Sequence, residues 1–463
     1  MNETKSVSPW KQTIVASMTS YIDAGSIVAG AAGMALWAEY MNLESWQVGL
    51  LTACSSNAIG AAIGALIGGF LCDKFGRKFV YTYDLLVYIF GMLFIVFGFH
   101  TPNTVLTTPG VYSCSLTLGY LLFLFGYLTI GLAVGADVVA SWTLIAEQAP
   151  AENRARHCGS AQVFWAIGPA VVLLMQAALG YLLGEENALL GNRIVFAHLI
   201  VVAFVVWLLR LGMPESDNWK KAKEQEAALI ASGKVKRLGM INLFSPVNLK
   251  TVLFLCGVYV VWNWAAGTMG MLLPYIYQNV GGITNSLSCA LTVILFLSSA
   301  ISTLTIFMPL GDRVSRRVIY ALVALLFVIA WSLFLLPASI YEQSTIQLPL
   351  LGSVPLLFVL ISVLMGLNNG SGQQAFYQLW CNELFPAHYR ASAQGFTFFV
   401  ARITVGLWTA CVPIIMGKDG ENFATAAAFM VAFALFSLLV GTCFAPNTSG
   451  KTLEQIEEER YGK

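Results

Sequence analysis

Long apolar runs alternate with short polar breaks along the whole chain. Runs long enough to cross a hydrocarbon core, about 20 residues, lie near 13–37, 48–70, 79–99, 117–146, 158–184 and 193–213. A second set lies near 249–279, 287–310, 318–338, 353–384, 391–417 and 423–444. The pattern predicts an all-α integral membrane protein with about twelve spans, six plus six. The divider is a polar stretch holding Lys220, Lys221, Lys223, Lys234, Lys236 and Arg237. The expected organisation is a six-helix bundle over 1–213, a linker loop over 214–248, a second bundle over 249–445 and a tail over 446–463.

Composition agrees with lipid as the main solvent. Of 463 residues 57% are hydrophobic and 11% charged, against about 25% charged in a soluble domain. Mean hydropathy is +0.73. A net charge of +1 gives no reason to expect a nucleic-acid partner. The nine cysteines (54, 72, 114, 158, 256, 289, 381, 411 and 443) are scattered through apolar runs and read as small buried hydrophobes. His100, His157, His198 and His388 share no spacing, so no metal is expected. The first run continues into a full span without an A-x-A cleavage site, which argues against a removable signal peptide. No phosphate-cradling loop or nucleophile motif is present, which disfavours ATP-driven transport and enzymatic activity, and no cofactor is expected.

Basic residues set the orientation, because Lys and Arg collect on the cytoplasmic side. With the N-terminus inside, Lys5, Lys11, Lys74, Arg77, Lys78, Arg154, Arg156, the linker, Arg313, Arg316, Arg317, Arg390 and the tail all fall inside. Only Arg193 and Lys418 fall outside. Both termini are therefore expected to be cytoplasmic, in a plasma membrane, with economical loops suggesting a bacterial inner membrane and a monomer as the working unit.

The two halves repeat one another. After span 2 comes Gly69-Phe-Leu-Cys-Asp73-Lys-Phe-Gly76-Arg77-Lys78, and after span 8 comes Leu310-Gly-Asp312-Arg313-Val-Ser-Arg316-Arg317. Span 4 ends in Glu147-Gln-Ala-Pro150-Ala-Glu-Asn-Arg154, and span 10 in Glu383-Leu-Phe-Pro386-Ala-His-Tyr-Arg390. Two motifs in register indicate two homologous six-helix halves, a transporter architecture. Their charges, Asp73, Arg77, Glu147, Arg154, Asp312, Arg316, Glu383 and Arg390, can pair when the cytoplasmic mouth closes and part when it opens, so they are the expected cytoplasmic gate.

These motifs resemble the major facilitator superfamily, and more narrowly its sugar porter family. Pro214-Glu215-Ser216 is similar to that family's P-E-S-P-R signature, with Asp217-Asn218 in place of Pro-Arg. Residues 446–454 resemble its P-E-T-K-G-K-T-L-E tail. The resemblance implies two pseudo-symmetric six-helix bundles around a midplane cavity that opens to either side in turn.

Three ionisable residues fall inside predicted spans. Asp23 lies about 11 residues into span 1, about 16 Å deep at 1.5 Å per residue. Asp137 lies ten residues before Glu147, and Arg402 twelve after Arg390. A charge at such depth is costly unless it is paired or faces a wet cavity. Asp23 sits where many proton-coupled sugar porters carry an acid, and Asp137 in Gly135-Ala136-Asp137 resembles the G-x-D pattern of phosphate–proton symporters. Both are candidate proton-coupling residues. Arg402 resembles the span-11 arginine of organic-anion members; it is either an anchor for an anionic solute or a fixed countercharge for an aspartate.

Gln162 lies eight residues after Arg154, the offset at which sugar porters place a sugar-binding glutamine. Asn368, Asn369, Gln373, Gln374, Tyr377 and Gln378 make span 10 densely polar, and amides suit a hydroxyl-rich solute because they donate and accept at once. Trp262, Asn263 and Trp264 of span 7 are candidates to hold an apolar ring face. The expected solute-binding set is Gln162, Trp262, Asn263, Asn368, Gln374, Gln378 and Arg402. The hexose-binding pattern is largely missing: Val261-Trp262, Gly267, Gln378 and Tyr127 stand where hexose porters carry other residues. Gly60, Gly64 and Gly68 form a G-x-x-x-G ladder for helix packing. The expected function is proton-coupled symport of a small polyol such as inositol. A small organic anion, a uniport facilitator and a transporter-like receptor are the alternatives.

Overall fold

A computed structural model describes residues 8–55, 58–98, 117–232, 239–337, 340, 344–348, 352–416 and 422–462. Lys5, His100, Cys114, Lys234, Lys236, Arg237 and Lys418 lie outside these described residues. Among the described residues, twelve helices are long and apolar enough to cross a membrane: spans 1 to 6 are Pro9–Met41, Trp46–Phe75, Arg77–Phe97, Leu118–Gln148, Ala151–Leu183 and Ala188–Leu211. Spans 7 to 12 are Pro246–Gly270, Leu287–Leu310, Arg316–Leu333, Leu356–Leu384, Arg390–Met416 and Phe423–Phe444. The helix of span 7 runs on to Gly281.

Side chains such as Phe90, Val201, Phe204, Leu208, Leu322 and Leu439 are exposed on the outer faces. A water-soluble protein does not present so much apolar surface. The buried faces instead carry small residues and polar groups. Spans 1–6 pack as one bundle and spans 7–12 as another. They meet along two equivalent seams, span 2 against span 11 and span 5 against span 8.

Small residues set these seams. A Cβ on Gly64 would lie 2.2 Å from the Leu132 carbonyl oxygen, so the glycine ladder seats span 2 on span 4 within the first bundle. Between bundles, a Cβ on Gly395 would lie 2.3 Å from the Ala65 carbonyl oxygen. Larger residues would force the helices apart.

Several details differ from the sequence pattern. Residues 353–355 belong not to span 10 but to a strand, Gly352–Pro355, paired antiparallel with Thr345–Leu348. The linker contains a helix, Asp217–Ala231, whose N-cap Ser216 accepts from the Trp219 amide. Cys72, Cys158 and Cys381 are buried thiols, but Cys411 and Cys443 are exposed on the outer faces, where lipid tolerates a small apolar side chain as well as a core does. Spans 7, 8 and 10 are irregular. Cys256–Val260 and Thr303–Phe307 are π-helical turns. Span 10 breaks at Gly372, between Leu356–Ser371 and Gln373–Leu384. Irregular backbone at membrane depth is tolerated where it is buried in protein or lines a cavity.

Candidate functional site

The start of span 1, where Trp10 stacks on His157, and the tail helix, where Tyr461 donates to Asn248, lie at one end of the bundles, and the repeated motifs converge there. In the first copy, Arg77 donates from Nη2 to Glu147 Oε1 at 2.9 Å and from Nη1 to Asp73 Oδ1 at 3.3 Å. Arg390, from the second bundle, donates to the same Glu147 oxygen at 2.8 Å. In the second copy, Arg316 and Arg154 donate to the two oxygens of Glu383 at 2.6 and 2.9 Å. Each glutamate thus holds one arginine of its own bundle and one from the opposite bundle.

The two aspartates add a second tie. Asp73 accepts from the Ser392 amide at 2.7 Å and the Ala391 amide at 3.3 Å, at the start of span 11. Asp312 accepts from the amides of Ala155 and Arg156 at 2.9 and 3.0 Å, at the start of span 5. A carboxylate at a helix N-terminus satisfies orphan amides and favours the helix dipole. Burial pushes the Asp312 carboxyl above its ordinary range, while these amides and Arg316 pull it back. Glu215 accepts from the amides of Arg77 and Lys78 at 3.1 and 3.0 Å, and Thr448 of the tail accepts from Arg316 at 2.6 Å. The eight charges of the two motifs therefore pair in two clusters of four, one around Glu147 and one around Glu383, and each cluster ties the bundles together at this end.

Deeper in, the first bundle holds a charged cluster. Asp23 is 1% exposed, and its Oδ2 has no hydrogen-bond partner among the described residues. Asp137 is paired: Arg210 Nη2 donates to its two oxygens at 3.1 and 3.3 Å, and Ser141 donates to it at 2.5 Å. Arg210 Nη1 reaches Asp84 at 3.4 Å and the Tyr81 carbonyl at 2.7 Å. Its Nη2 also donates to the Thr19 hydroxyl, one helical turn from Asp23. Asp84 and Arg210 were not among the residues singled out from sequence. Both fall inside apolar runs, so the criterion that selected Asp23, Asp137 and Arg402 applies equally to them.

Arg402 is accordingly not the countercharge of Asp137; Arg210 holds that place. Its guanidinium carbon lies 4.6 Å from the centroid of the Phe398 ring, and the side chain lines a cavity between the bundles. Trp262, Asn263, Gln374, Asn369 and, from the first bundle, Trp165 face the same cavity. Gln162 joins the two bundles at this level, donating to Gln378 Oε1 at 2.7 Å and accepting from Gln374 Nε2 at 3.0 Å.

Other expected contacts lie elsewhere. Asn368 is fully buried, accepting from Trp262 Nε1 at 3.0 Å and donating to the Val323 carbonyl and Gln373. It supports the tryptophan from behind and is not among the cavity-lining residues. Gln378 and Gln162 bridge to each other, and neither is among the cavity-lining residues. Trp264 turns away, donating to Thr404 and packing edge-on against Phe433 at 4.9 Å. Trp165, Pro169 and Phe296 of the lining were missed, because an aromatic or proline in an apolar run gives no sign of which face it occupies. Among the described residues no group of His, Cys, Asp or Glu could hold a metal ion.

The comparisons with known proteins agree with this geometry. Residues 13–409 match the family profile described as Major Facilitator Superfamily. The chain is 48% identical over 453 residues to the minor myo-inositol transporter IolF of Bacillus subtilis (strain 168), covering 98% of this chain and 94% of that one. It is 23% identical over 411 residues to the cis,cis-muconate transport protein of Acinetobacter baylyi (strain ATCC 33305 / BD413 / ADP1), covering 86% of each. The solved structure of the proton:xylose symporter XylE bound to 6-bromo-6-deoxy-D-glucose superposes with a TM-score of 0.75 at 20% identity, over 97% of this chain and 98% of that one. With twelve spans, a repeated charge motif and a family match over most of its length, the chain belongs to the Major Facilitator Superfamily.

Proposed function

We propose that the protein carries a small polyol, myo-inositol or a close relative, across the membrane together with protons by alternating access. The observation that carries the solute class is the 48% identity, over nearly the full length, to a myo-inositol transporter. The interior suits such a solute. A polyol hydroxyl both donates and accepts, so it can replace the Gln162–Gln374 and Gln162–Gln378 bonds without leaving an amide unsatisfied. The Trp262 indole, fixed by Asn368, offers a rigid apolar wall.

The end that carries the charge network is read as cytoplasmic, from its excess of Lys and Arg. With that end clamped, solute and proton enter from outside. Asp23, buried and unpartnered at Oδ2, takes the proton, because an ionised carboxylate is costly there. Insertion of the solute between the amides loosens the bundle-to-bundle bridge, and the gate pairs exchange protein partners for water as the cytoplasmic side opens. Lower proton activity inside then releases both cargoes. A bacterial inner membrane and a working monomer complete the reading.

A second reading is a small organic anion, favoured by Arg402 on the cavity wall and by the similarity to a muconate transport protein. Proteoliposomes with an imposed inward proton gradient separate the two. Uphill uptake of labelled myo-inositol, little changed in Arg402→Ala, is the expected result. Uptake confined to sugar acids and abolished in Arg402→Ala would replace the first reading with the second.

A further inference from the structure

The first bundle buries more acid than base. Asp23, Asp84 and Asp137 are 1, 6 and 2% exposed, and Arg210 is 0% exposed. With every carboxyl ionised, Arg210 alone would face the two carboxylates it contacts, Asp84 and Asp137, while Asp23 lies near both Arg210 and Arg402. A membrane interior does not hold such an imbalance; it is relieved by protonation or by a partner.

The contacts indicate where a proton sits besides Asp23. Besides Thr19 and Ser141, Arg210 Nη2 contacts both oxygens of Asp137, at 3.1 and 3.3 Å, whereas Asp84 Oδ1 receives only a long 3.4 Å contact from Nη1. Asp84 Oδ1 otherwise accepts from the Leu85 amide, and Asp84 Oδ2 is buried with no hydrogen-bond partner among the described residues. The Asp84 and Asp137 carboxyls flank one guanidinium, Asp84 at Nη1 and Asp137 at Nη2. Two carboxylates beside a single buried cation repel one another unless one carries a hydrogen. Around them stand Arg210 from span 6, Asp23 from span 1 and Cys72 from span 2, with Tyr81 and Tyr88 on the helix of Asp84 itself. Of these only Arg210 is a cation, and its stronger contacts are already given to Asp137.

We propose that Asp84 and Asp137 share one proton beneath Arg210, which makes Asp84 a second proton-holding group of the transport cycle, separate from Asp23. The step balances simply. The O–H bond of the shared proton breaks, the proton passes to water when the gate end opens, and the carboxylate left behind turns to Arg210 Nη1, already 3.4 Å away. This inference rests on the proton-coupled reading above, but the dyad can be tested without transport.

The test is infrared difference spectroscopy of the reconstituted full-length protein, with aspartate side chains carbon-13 labelled, followed across pH. In the D23N variant one protonated-aspartate carbonyl band is expected, and it disappears when D84N or D137N is added. Asparagine at either position keeps the shape and supplies an N–H in place of the shared proton, so size-exclusion profiles are expected to stay monodisperse. In proteoliposomes, the proton-to-solute ratio read from reversal potentials is expected to fall by about half in D84N, since one of two proton sites is gone. Absence of the band in D23N overturns the proposal and needs no change at the dyad. A ratio that D84N leaves unaltered also overturns it, by making the proton a static one. Absence of any uphill uptake in the wild type would instead count against the proton-coupled reading, while the band still reports on the dyad.

Discussion

The two bundles carry the same charge motif but fill their interiors differently. Asp73, Arg77, Glu147 and Arg154 recur as Asp312, Arg316, Glu383 and Arg390, with matching bonds. Counting inward from these anchors, Asp137 precedes Glu147 by ten residues (147 − 137), as Gln373 precedes Glu383 (383 − 373). Asp84 follows Arg77 by seven (84 − 77), as Val323 follows Arg316 (323 − 316). Arg210 precedes Pro214 by four (214 − 210), as Thr442 precedes Pro446 (446 − 442). The acid–base cluster of the first bundle thus maps onto a glutamine, a valine and a threonine in the second.

The difference has a physical meaning. A charge network can change protonation and so sense a proton gradient, but it is costly to bury. An amide network cannot titrate, yet it exchanges partners with a hydroxylated solute at little net cost. The symmetric charge motif serves both bundles, because it holds them together at one end. In this account protons act on the first bundle, and the second contributes most of the neutral groups that meet the solute.

The largest break in that comparison comes from Arg210. Arg210→Leu leaves Asp84 and Asp137 without their cation and is expected to destabilise the protein by about 3–5 kcal/mol. The equivalent Thr442→Val in the second bundle should cost less than about 1 kcal/mol. Thermal unfolding in detergent measures both; similar losses would mean that the two interiors are not energetically distinct.

The gate gives the next largest effect, and here the bundles should behave alike. Glu147→Gln and Glu383→Gln each weaken charge-assisted bonds to two arginines, one of them from the opposite bundle. Such bonds are worth about 1.5–3 kcal/mol. Each change should therefore raise the fraction open at the gate end by about tenfold or more, read by thiol labelling of a cysteine placed within the cavity. A large effect from one glutamate and none from the other would break the symmetry.

The amide bridge gives the smallest effect. Gln378→Ala removes one bond to Gln162 and should raise the KM for a neutral polyol by about two- to tenfold, with the proton dependence of uptake unchanged. A shift in proton dependence would show that the second bundle takes part in coupling.

How much of this was legible in the sequence follows from the same physics. The paired charges could be read because they interrupt apolar runs at repeated offsets, and the spans could be read because lipid tolerates so few polar residues. Asp23 and Asp137 stood out for the same reason. Arg210 and Asp84 were as visible, but they lie within a few turns of their span ends, where a charge looks like a boundary residue. Whether Arg402 answers an aspartate or faces the cavity depends on helix rotation about a shared axis, which spacing along one chain does not fix. The roles of Asn368 and Gln378 were hidden in another way. An amide in a span is polar whether it meets solute or a neighbouring helix, and only packing separates the two.

The division of labour between the bundles is tested most directly on Asp23→Asn, assayed in one set of proteoliposomes for two activities. Counterflow of labelled myo-inositol without a gradient reports solute binding and alternation; gradient-driven accumulation reports coupling. The account predicts that counterflow persists while accumulation is lost. Equal loss of both would contradict it, by showing that solute handling depends on the first bundle's acid as much as proton handling does.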